Sequence, residues 1–433
     1  MSRTFGNSLF FAEPFMPHII IIGAGITGVT TAYTLSELGY QVTVVDRHLY
    51  PAMETSFANG GQLSACNAEV WNNFGTILKG LRWMLKQDAP VLFNPKPSWH
   101  KYSWIGEFVS NIENYSENTI ATVKLALEAR NYIFSIAERE QIDFDLERRG
   151  ILHFYHDRKS YDAATRTNEL LVSAGLERFA VSPAEIKNIE PTLQGEYYGG
   201  YFTPSDSTGD IHRFTRGLAI ACERRGVRFR QGVTVKNVQC RHSGVRLSVA
   251  IDVPTQEGSP YPYAEEMVAD AVVVCAGVGS RGIANLFGDR LNIYPVKGYS
   301  ITVYLDGEDS VSKAPWVSLL DESAKIVTSR LGVDRLRVAG TAEFNGYDRD
   351  IRMDRIDPLV RWVNQNFTVN TSRVVPWSGL RPMMPDMMPR VMKGRAPRVF
   401  YNTGHGHLGW TLSAATAVAI GKIVWEHLPT DIS

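Results

Sequence analysis

The stretch from His18 to Asp46 restricts the fold of this 433-residue chain more than any other. Ile19-Ile20-Ile21-Ile22 is an unbroken β-branched run, suited to a strand buried on both faces, as parallel strands in α/β sheets are. Gly23-Ala24-Gly25-Ile26-Thr27-Gly28 follows at once. Ile26, Val29 and Tyr33 then recur at helical spacing until Gly39 supplies a C-terminal stop. Gln41 to Val45 reads as a second strand ending in Asp46, about 20 residues beyond the second glycine. In such a unit Gly23 permits the tight turn, Gly25 lets the backbone approach a pyrophosphate, and Gly28 lets helix and strand pack closely. The helix N-terminus faces the phosphates, and Asp46 accepts the ribose hydroxyls. The spacing predicts dinucleotide binding, with FAD and NAD both open at this point.

Later segments separate the two cofactors. A nicotinamide dehydrogenase continues through alternating strands and helices, whereas residues 71–205 show no regular alternation. Nucleotide-domain features return at Asp210, which can cap a helix through Phe214, Leu218 and Cys222. Short strands at 227–229 and 233–235 follow, then the buried strand Ala271-Val272-Val273-Val274 leading into Cys275-Ala276-Gly277. The end of the chain repeats the device, with a strand from Arg398 to Tyr401 and the turn Asn402-Thr403-Gly404-His405-Gly406-His407. A long apolar helix from Leu408 to Trp425 starts there, carrying free N–H groups at its N-terminus. Such a helix end stabilises negative charge, and a reduced flavin is anionic near its pyrimidine ring, so the second glycine-rich helix start favours flavin.

Composition removes other classes. Lys and Arg number 45 against 45 Asp and Glu, which leaves no basic excess for nucleic acid. Cys66, Cys222, Cys240 and Cys275 lie far apart without a CxxC pair, and His405 and His407 have no carboxylate company, so no metal site is expected. Residues 1–16 read as an N-terminal extension without the features of a signal peptide. No window approaches the roughly 18 consecutive apolar residues needed to cross a bilayer.

Four further segments stand in order along the chain: Glu54-Thr55-Ser56-Phe57-Ala58-Asn59-Gly60-Gly61-Gln62, Tyr294-Pro295-Val296-Lys297-Gly298-Tyr299-Ser300, Trp377-Ser378-Gly379-Leu380-Arg381-Pro382, and Asn402 through His407 continuing into Leu408-Gly409-Trp410-Thr411. With Gly23 to Gly28 they make the chain similar to the D-amino-acid oxidase superfamily of FAD-dependent amine oxidoreductases, and within it to the bacterial D-amino acid dehydrogenase (small subunit) type. The resemblance implies an α/β protein with non-covalent FAD. Its discontinuous doubly wound FAD-binding domain takes residues 17–70, 206–290 and 371–433. A substrate domain with a mixed or antiparallel sheet takes residues 71–205 and 291–370, with Gly150–His156, Tyr299–Leu305 and Leu336–Gly340 as strands.

The resemblance further implies which residues hold the cofactor. These are Gly23, Ala24, Gly25, Ile26, Thr27 and Gly28 in the first turn; Asp46 and Arg47 after the second strand; and Thr55, Ser56, Asn59, Gly60, Gly61, Gln62 and Leu63 in the following loop. Val233, Ala276, Gly277 and Gly379 join them from the middle segments, and Gly404, His405, Gly406, Leu408, Gly409, Trp410 and Thr411 from the last turn. Read by itself, Thr55 to Gln62 is small, polar and rich in backbone donors, as a pyrophosphate-wrapping segment is, and as a surface loop also is. Arg381 stands in an apolar setting and needs an anion. In the family the arginine of this motif binds the substrate carboxylate, and the alternative is a salt bridge to Asp386 or another acid. Tyr299 and Lys297 complete the candidate catalytic set, Tyr299 as a phenol near the substrate or as a core aromatic. Met383, Phe344, Tyr299 and Trp316 are candidate side-chain pocket walls. The turn at 404–407 lacks the second arginine found in family members that favour very small substrates.

The expected reaction is oxidative deamination of a D-amino acid to a 2-oxo acid and ammonia by hydride transfer from Cα to flavin, with electrons passed to a quinone or other respiratory-chain acceptor. An oxygen-using enzyme of the same fold acting on glycine, D-proline or hydroxy-D-proline is one alternative, and a non-catalytic flavin-binding scaffold is another. Residues 71–104 place Ile77, Leu78, Leu81, Met84 and Leu85 on one helical face with Lys79, Arg82 and Lys86 nearby. That pattern fits a helix lying on a membrane and equally one packed on its own protein. The corresponding location is cytoplasmic, including the cytoplasmic face of the inner membrane.

Overall fold

The computed structural model describes residues 16–75, 91–251 and 263–430. At its centre is a six-stranded sheet in the order Arg390–Lys393, Val399–Thr403, Ala271–Val274, His18–Ile22, Gln41–Asp46, Arg228–Gln231. All neighbours run parallel except the first pair. The reason the isoleucine run does not alternate with polar residues is visible in its two faces. Ile19 and Ile21 pack with Val29, Phe214 and Trp410 of the flanking helices, while Ile20 and Ile22 pack with Val245, Leu247 and Val249 of a three-stranded antiparallel sheet. Both faces are therefore dry, and each isoleucine is at most 6% exposed.

Four helices cover the first face: Ile26–Glu37, Tyr115–Arg139, Ile211–Arg224 and Gly409–His427. Asp210 caps the third as expected, accepting from the amides of His212 at 2.9 Å and Arg213 at 3.1 Å. The last of the four is, among the described residues, the one helix long and apolar enough to cross a membrane, yet 67% of its apolar 18-residue stretch is buried inside the protein. It is a core element of the fold.

The large sheet has nine strands, eight of them in the order Val374–Met383, Tyr294–Tyr304, Arg335–Phe344, Ile326–Leu331, Ser318–Asp321, Ile151–Tyr155, Gly199–Thr203, Phe179–Val181, with Val91–Phe93 pairing the third. One face carries Ile301, Val303, Leu336 and Val338 against the helix Met353–Asn366. The other supports the loop 58–61, whose carbonyls are turned onto the sheet. Ser300 donates to Ala58 at 2.7 Å, Arg337 to Asn59 at 2.9 Å and Ser329 to Gly60 at 2.6 Å. The loop is thereby fixed edge-on to the parallel sheet.

Two segments sit elsewhere than the expected boundaries place them. Residues 374–383, grouped by sequence with the nucleotide-binding part, pair along their whole length with Tyr294–Tyr304 in the large sheet. Ile133, Ile136, Ala137 and Phe144, grouped with the substrate part, belong to the core of the parallel sheet. In both cases the residue pattern gives an element, and its partner is decided by contacts remote in sequence. Residues 227–229 and 233–235, read as short strands, are Arg228–Gln231 and the longer Val233–Arg241. The face proposed at Ile77 to Leu85 and most of the N-terminal extension lie outside the described residues.

Candidate active site

A cavity of about 1250 Å³ runs between the two sheets, from the first glycine turn to Arg381 and beyond. Its inner end is built as the sequence predicts. Gly23 has φ +112°, and a Cβ there would strike the Cys275 carbonyl, while a Cβ on Gly28 would overlap the Gly23 carbonyl oxygen. Gly25 differs, because a Cβ there meets only Ser56 Oγ at 3.4 Å, on the cavity side. The helix Ile26–Glu37 has no acidic residue in its first turn, so its N-terminal field is not cancelled locally. Asp46 accepts the amides of Ala24 at 2.6 Å and His48 at 2.8 Å, one on each oxygen, which fixes the carboxylate and leaves lone pairs for hydroxyls.

Around this end stand Ile26, Thr27, Arg47, Thr55, Asn59, Gly60, Gly61, Gln62, Val233, Ala276 and Gly277, all on the cavity wall. Arg47 is tied to Glu54, whose carboxyl is held near 2 by His48, Arg349 and Arg47 against the opposing effect of burial. Ser56 accepts the Ile26 amide at 3.0 Å. Gln62 is clamped by Ser318 at 2.7 Å and Asn67 at 2.8 Å. Gly404 and Gly406 have φ +75° and +59°, and with His405, Leu408, Gly409 and Trp410 they form the opposite wall. Four of the expected set do not reach the cavity. Leu63 is turned into the core, Gly28 seats the helix, Ala24 serves Asp46 through its amide, and Thr411 accepts the Ser64 amide at 3.2 Å.

The catalytic candidates are divided by strand alternation. Arg381 and Gly298 share the cavity side, and a Cβ on Gly298 would fall inside the Arg381 guanidinium. Lys297 and Tyr299 flank Gly298 and point the other way. The Tyr299 phenol donates to Glu343 at 2.6 Å, and Lys297 Nζ reaches Asp348 at 2.9 Å and Glu343 at 3.4 Å, a closed network behind the sheet. Tyr299 is on the wall of the same cavity as Arg381 but its phenol is engaged on the other side of the sheet, and Lys297 is not on that wall. Met383 and Phe344 pack with Trp104 and Tyr294, and Trp316 lies under Arg330 at 4.3 Å; none of the three lines the cavity. Gly379 and Trp377 do line it, and a Cβ on Gly379 would collide with the Trp377 indole.

Arg381 has no acidic partner among the described residues. Its one hydrogen bond runs from Nη1 to the Thr341 carbonyl at 3.0 Å, and Asp386 pairs instead with Arg390 at 2.9 Å. Burial alone lowers its pKa to about 10, still cationic at neutral pH. Thr341 holds its carbonyl there with φ +62°, a left-handed conformation at an interruption of the strand register. Nothing in the local sequence announces that bend, and no reading of residue types identifies Thr341.

His405, His407 and His153 are all held near 4 rather than 6.5, chiefly by burial, and for His153 burial prevails although Glu322 lies 3.1 Å away. The unfolded chain takes up these protons between pH 6.5 and 4 and the folded chain does not. Stability is therefore complete above about 6.5 and falls as pH is lowered, on the order of 1 kcal/mol per pH unit per histidine. Thermal midpoints measured from pH 7.5 to 5 should fall steadily; a flat profile contradicts the neutral assignment.

His407 Nδ1 and Trp410 Nε1 are buried on the cavity wall without hydrogen-bond partners, and the cavity joins a glycine-lined helix start to a second one. These features fit a long ligand carrying a pyrophosphate at one end and a polar ring at the other. The comparisons agree with that geometry. Residues 18–423 match the family described as DAO, FAD dependent oxidoreductase. A protein of Mesorhizobium japonicum named D-amino acid dehydrogenase 3 is 60% identical over 96% of this chain and 99% of its own length. D-amino acid dehydrogenase of Paramagnetospirillum magneticum is 38% identical over 94% of both. The fold is that of glycine oxidase from Geobacillus kaustophilus, with a TM-score of 0.72 at 17% identity over 95% of both chains. The chain belongs to the DAO family of FAD-dependent oxidoreductases.

Proposed function

We propose that the protein oxidises D-amino acids to imino acids, which water hydrolyses to 2-oxo acids and ammonia. The observation that carries this reading is Arg381, a lone guanidinium on the wall of a cavity that also holds the nucleotide-binding turns. A planar fork without an internal anion matches a carboxylate bidentately, and the relatives named above are D-amino acid dehydrogenases. FAD, when bound, supplies the hydride acceptor.

The chain's own part is binding and orientation. The turn 23–27 and Asp46 would hold the pyrophosphate and ribose, and the loop 55–62 and the turn 404–410 the rest of the cofactor. Arg381 fixes the substrate carboxylate, and the Thr341 carbonyl sets the plane of its guanidinium. Gly298 and Gly379 leave the space that Arg381 and Trp377 occupy. His407, stacked on Trp71 at 4.9 Å, closes one side against water. The amino group must be neutral when the hydride leaves, and orientation over the acceptor then supplies much of the rate.

In this reading the nucleotide-binding part comprises 17–63, 206–290 and 390–427 together with the helix 115–139, and the substrate part is organised on the nine-stranded sheet. Electrons leave to a quinone-type acceptor rather than to oxygen, a reading that the naming of the relatives as dehydrogenases supports, and the protein is cytoplasmic, which includes the cytoplasmic face of the inner membrane. The test is an anaerobic visible spectrum of the holoenzyme titrated with D-alanine, D-proline and glycine and with the L-counterparts. Bleaching of the flavin band by D-amino acids alone is expected. A band that stays oxidised with every one of them overturns the proposal.

A further inference from the structure

The cavity does not end at Arg381. Its wall also takes in a polar group, Glu69, Tyr115, Thr167, Glu322 and Lys325, together with the His407–Trp71 pair. Glu69 accepts hydrogen bonds on Oε1 from Tyr115 at 2.7 Å and Thr167 at 3.4 Å, both neutral donors, and appears in no ion pair among the described residues. Lys325, whose charge reaches Glu69, is paired with Glu322. His153 is occupied by Glu322 at 3.1 Å and Cys66 at 3.2 Å, and Arg178 donates to the Cys66 carbonyl at 3.2 Å. Glu69 is half-buried, its hydrogen bonds come from neutral groups, and Lys325, the cation that acts on it, is engaged by Glu322; burial raises its pKa accordingly.

Glu69 and Arg381 do not neutralise each other. Both line the one cavity, and neither is the other's hydrogen-bond or ion-pair partner among the described residues. A ligand with its carboxylate on Arg381 can therefore offer a second, cationic group to Glu69. We infer that Glu69 determines specificity by receiving the cationic end of a long substrate side chain, an ammonium or guanidinium, so that the cavity selects basic D-amino acids over apolar ones of equal length. This rests on the reading of Arg381 given above. A basic side chain gives Glu69 the direct ion pair it does not make among the described residues, whereas an aliphatic one desolvates Glu69 and the two hydroxyls with no return.

The test compares kcat/KM of the FAD-loaded enzyme for D-ornithine and D-lysine with that for D-norvaline and D-norleucine, in the wild type and in Glu69→Gln. Gln keeps an acceptor for Tyr115 and so preserves the local fold. The wild type is expected to favour the basic members by at least about 10-fold, and Glu69→Gln to lower the ratio of D-ornithine to D-norvaline by about 30-fold or more. A wild-type preference for the apolar members, or a ratio that Glu69→Gln leaves alone because both substrates slow together, overturns the assignment. Flavin reduction by D-norvaline without the basic preference sinks this inference only. No reduction by any of the four sinks the underlying function as well.

Discussion

Arg381→Ala is expected to lower kcat/KM for a D-amino acid by about 10² to 10³-fold while the purified protein keeps its full complement of FAD. Truncating one partner of a buried charge pair costs roughly 2–5 kcal/mol, and here the other partner is the substrate. The surroundings sharpen the expectation. Among the described residues the guanidinium has one internal hydrogen bond and no acid, so its removal breaks no ion pair there. Gly298→Ala should produce a comparable loss with the charge still present, because the added Cβ takes the place of the guanidinium. Tyr299→Phe is the contrasting variant. Its phenol bonds Glu343 on the far side of the sheet, so kcat/KM should stay within about 3-fold while stability drops by about 1 kcal/mol. Steady-state kinetics, flavin absorbance and thermal midpoints on the three variants separate these outcomes. An Arg381→Ala enzyme with unchanged kinetics ends the carboxylate assignment.

Gly28→Ala should be as damaging by another route. The added Cβ would overlap the Gly23 carbonyl, which is backbone and cannot swing aside. The helix Ile26–Glu37 must then back away from the strand His18–Ile22, and the turn that approaches the pyrophosphate moves with it. Overpacking of this kind costs about 1–3 kcal/mol, so FAD affinity is expected to fall by about 10-fold or more, with a lower thermal midpoint. The FAD content after gel filtration and the midpoint with added FAD measure both parts. Full retention of the cofactor at wild-type stability contradicts the packing role.

Legibility followed the range of the interactions involved. The unit from Ile19 to Asp46 was readable because its strand, turn, helix and acid are consecutive, and each residue type has one geometric job there. Asp210 was readable for the same reason, since a cap acts within one turn. Residues 374–383 were not, because a strand's partner is chosen by residues about eighty positions away. The division of Arg381 from Tyr299 was open to simple alternation. Register makes Arg381 oppose Val296, which puts it on the side of Gly298 and leaves Tyr299 behind. A motif read as a string hides that alternation. Thr341 and Glu69 lie at the other extreme. One acts through a carbonyl set by a bent strand and the other through a missing partner, and neither property belongs to a residue type.

The central sheet places Val399–Thr403 beside Ala271–Val274, which lies beside His18–Ile22. Strands from the two ends of the chain are therefore separated by a single intervening strand, and the last helix covers the same face as the first. A ribosome making this protein supplies the isoleucine run with one neighbour, Gln41–Asp46, almost at once, and withholds the other, Ala271–Val274, until more than half of the chain has emerged. The glycine turn of the first helix is formed by local residues, but the opposite wall, His405 to Trp410, arrives last. The cavity that would take the flavin is consequently completed late in synthesis, and until Ala271–Val274 arrives the apolar strand has one edge without its neighbour.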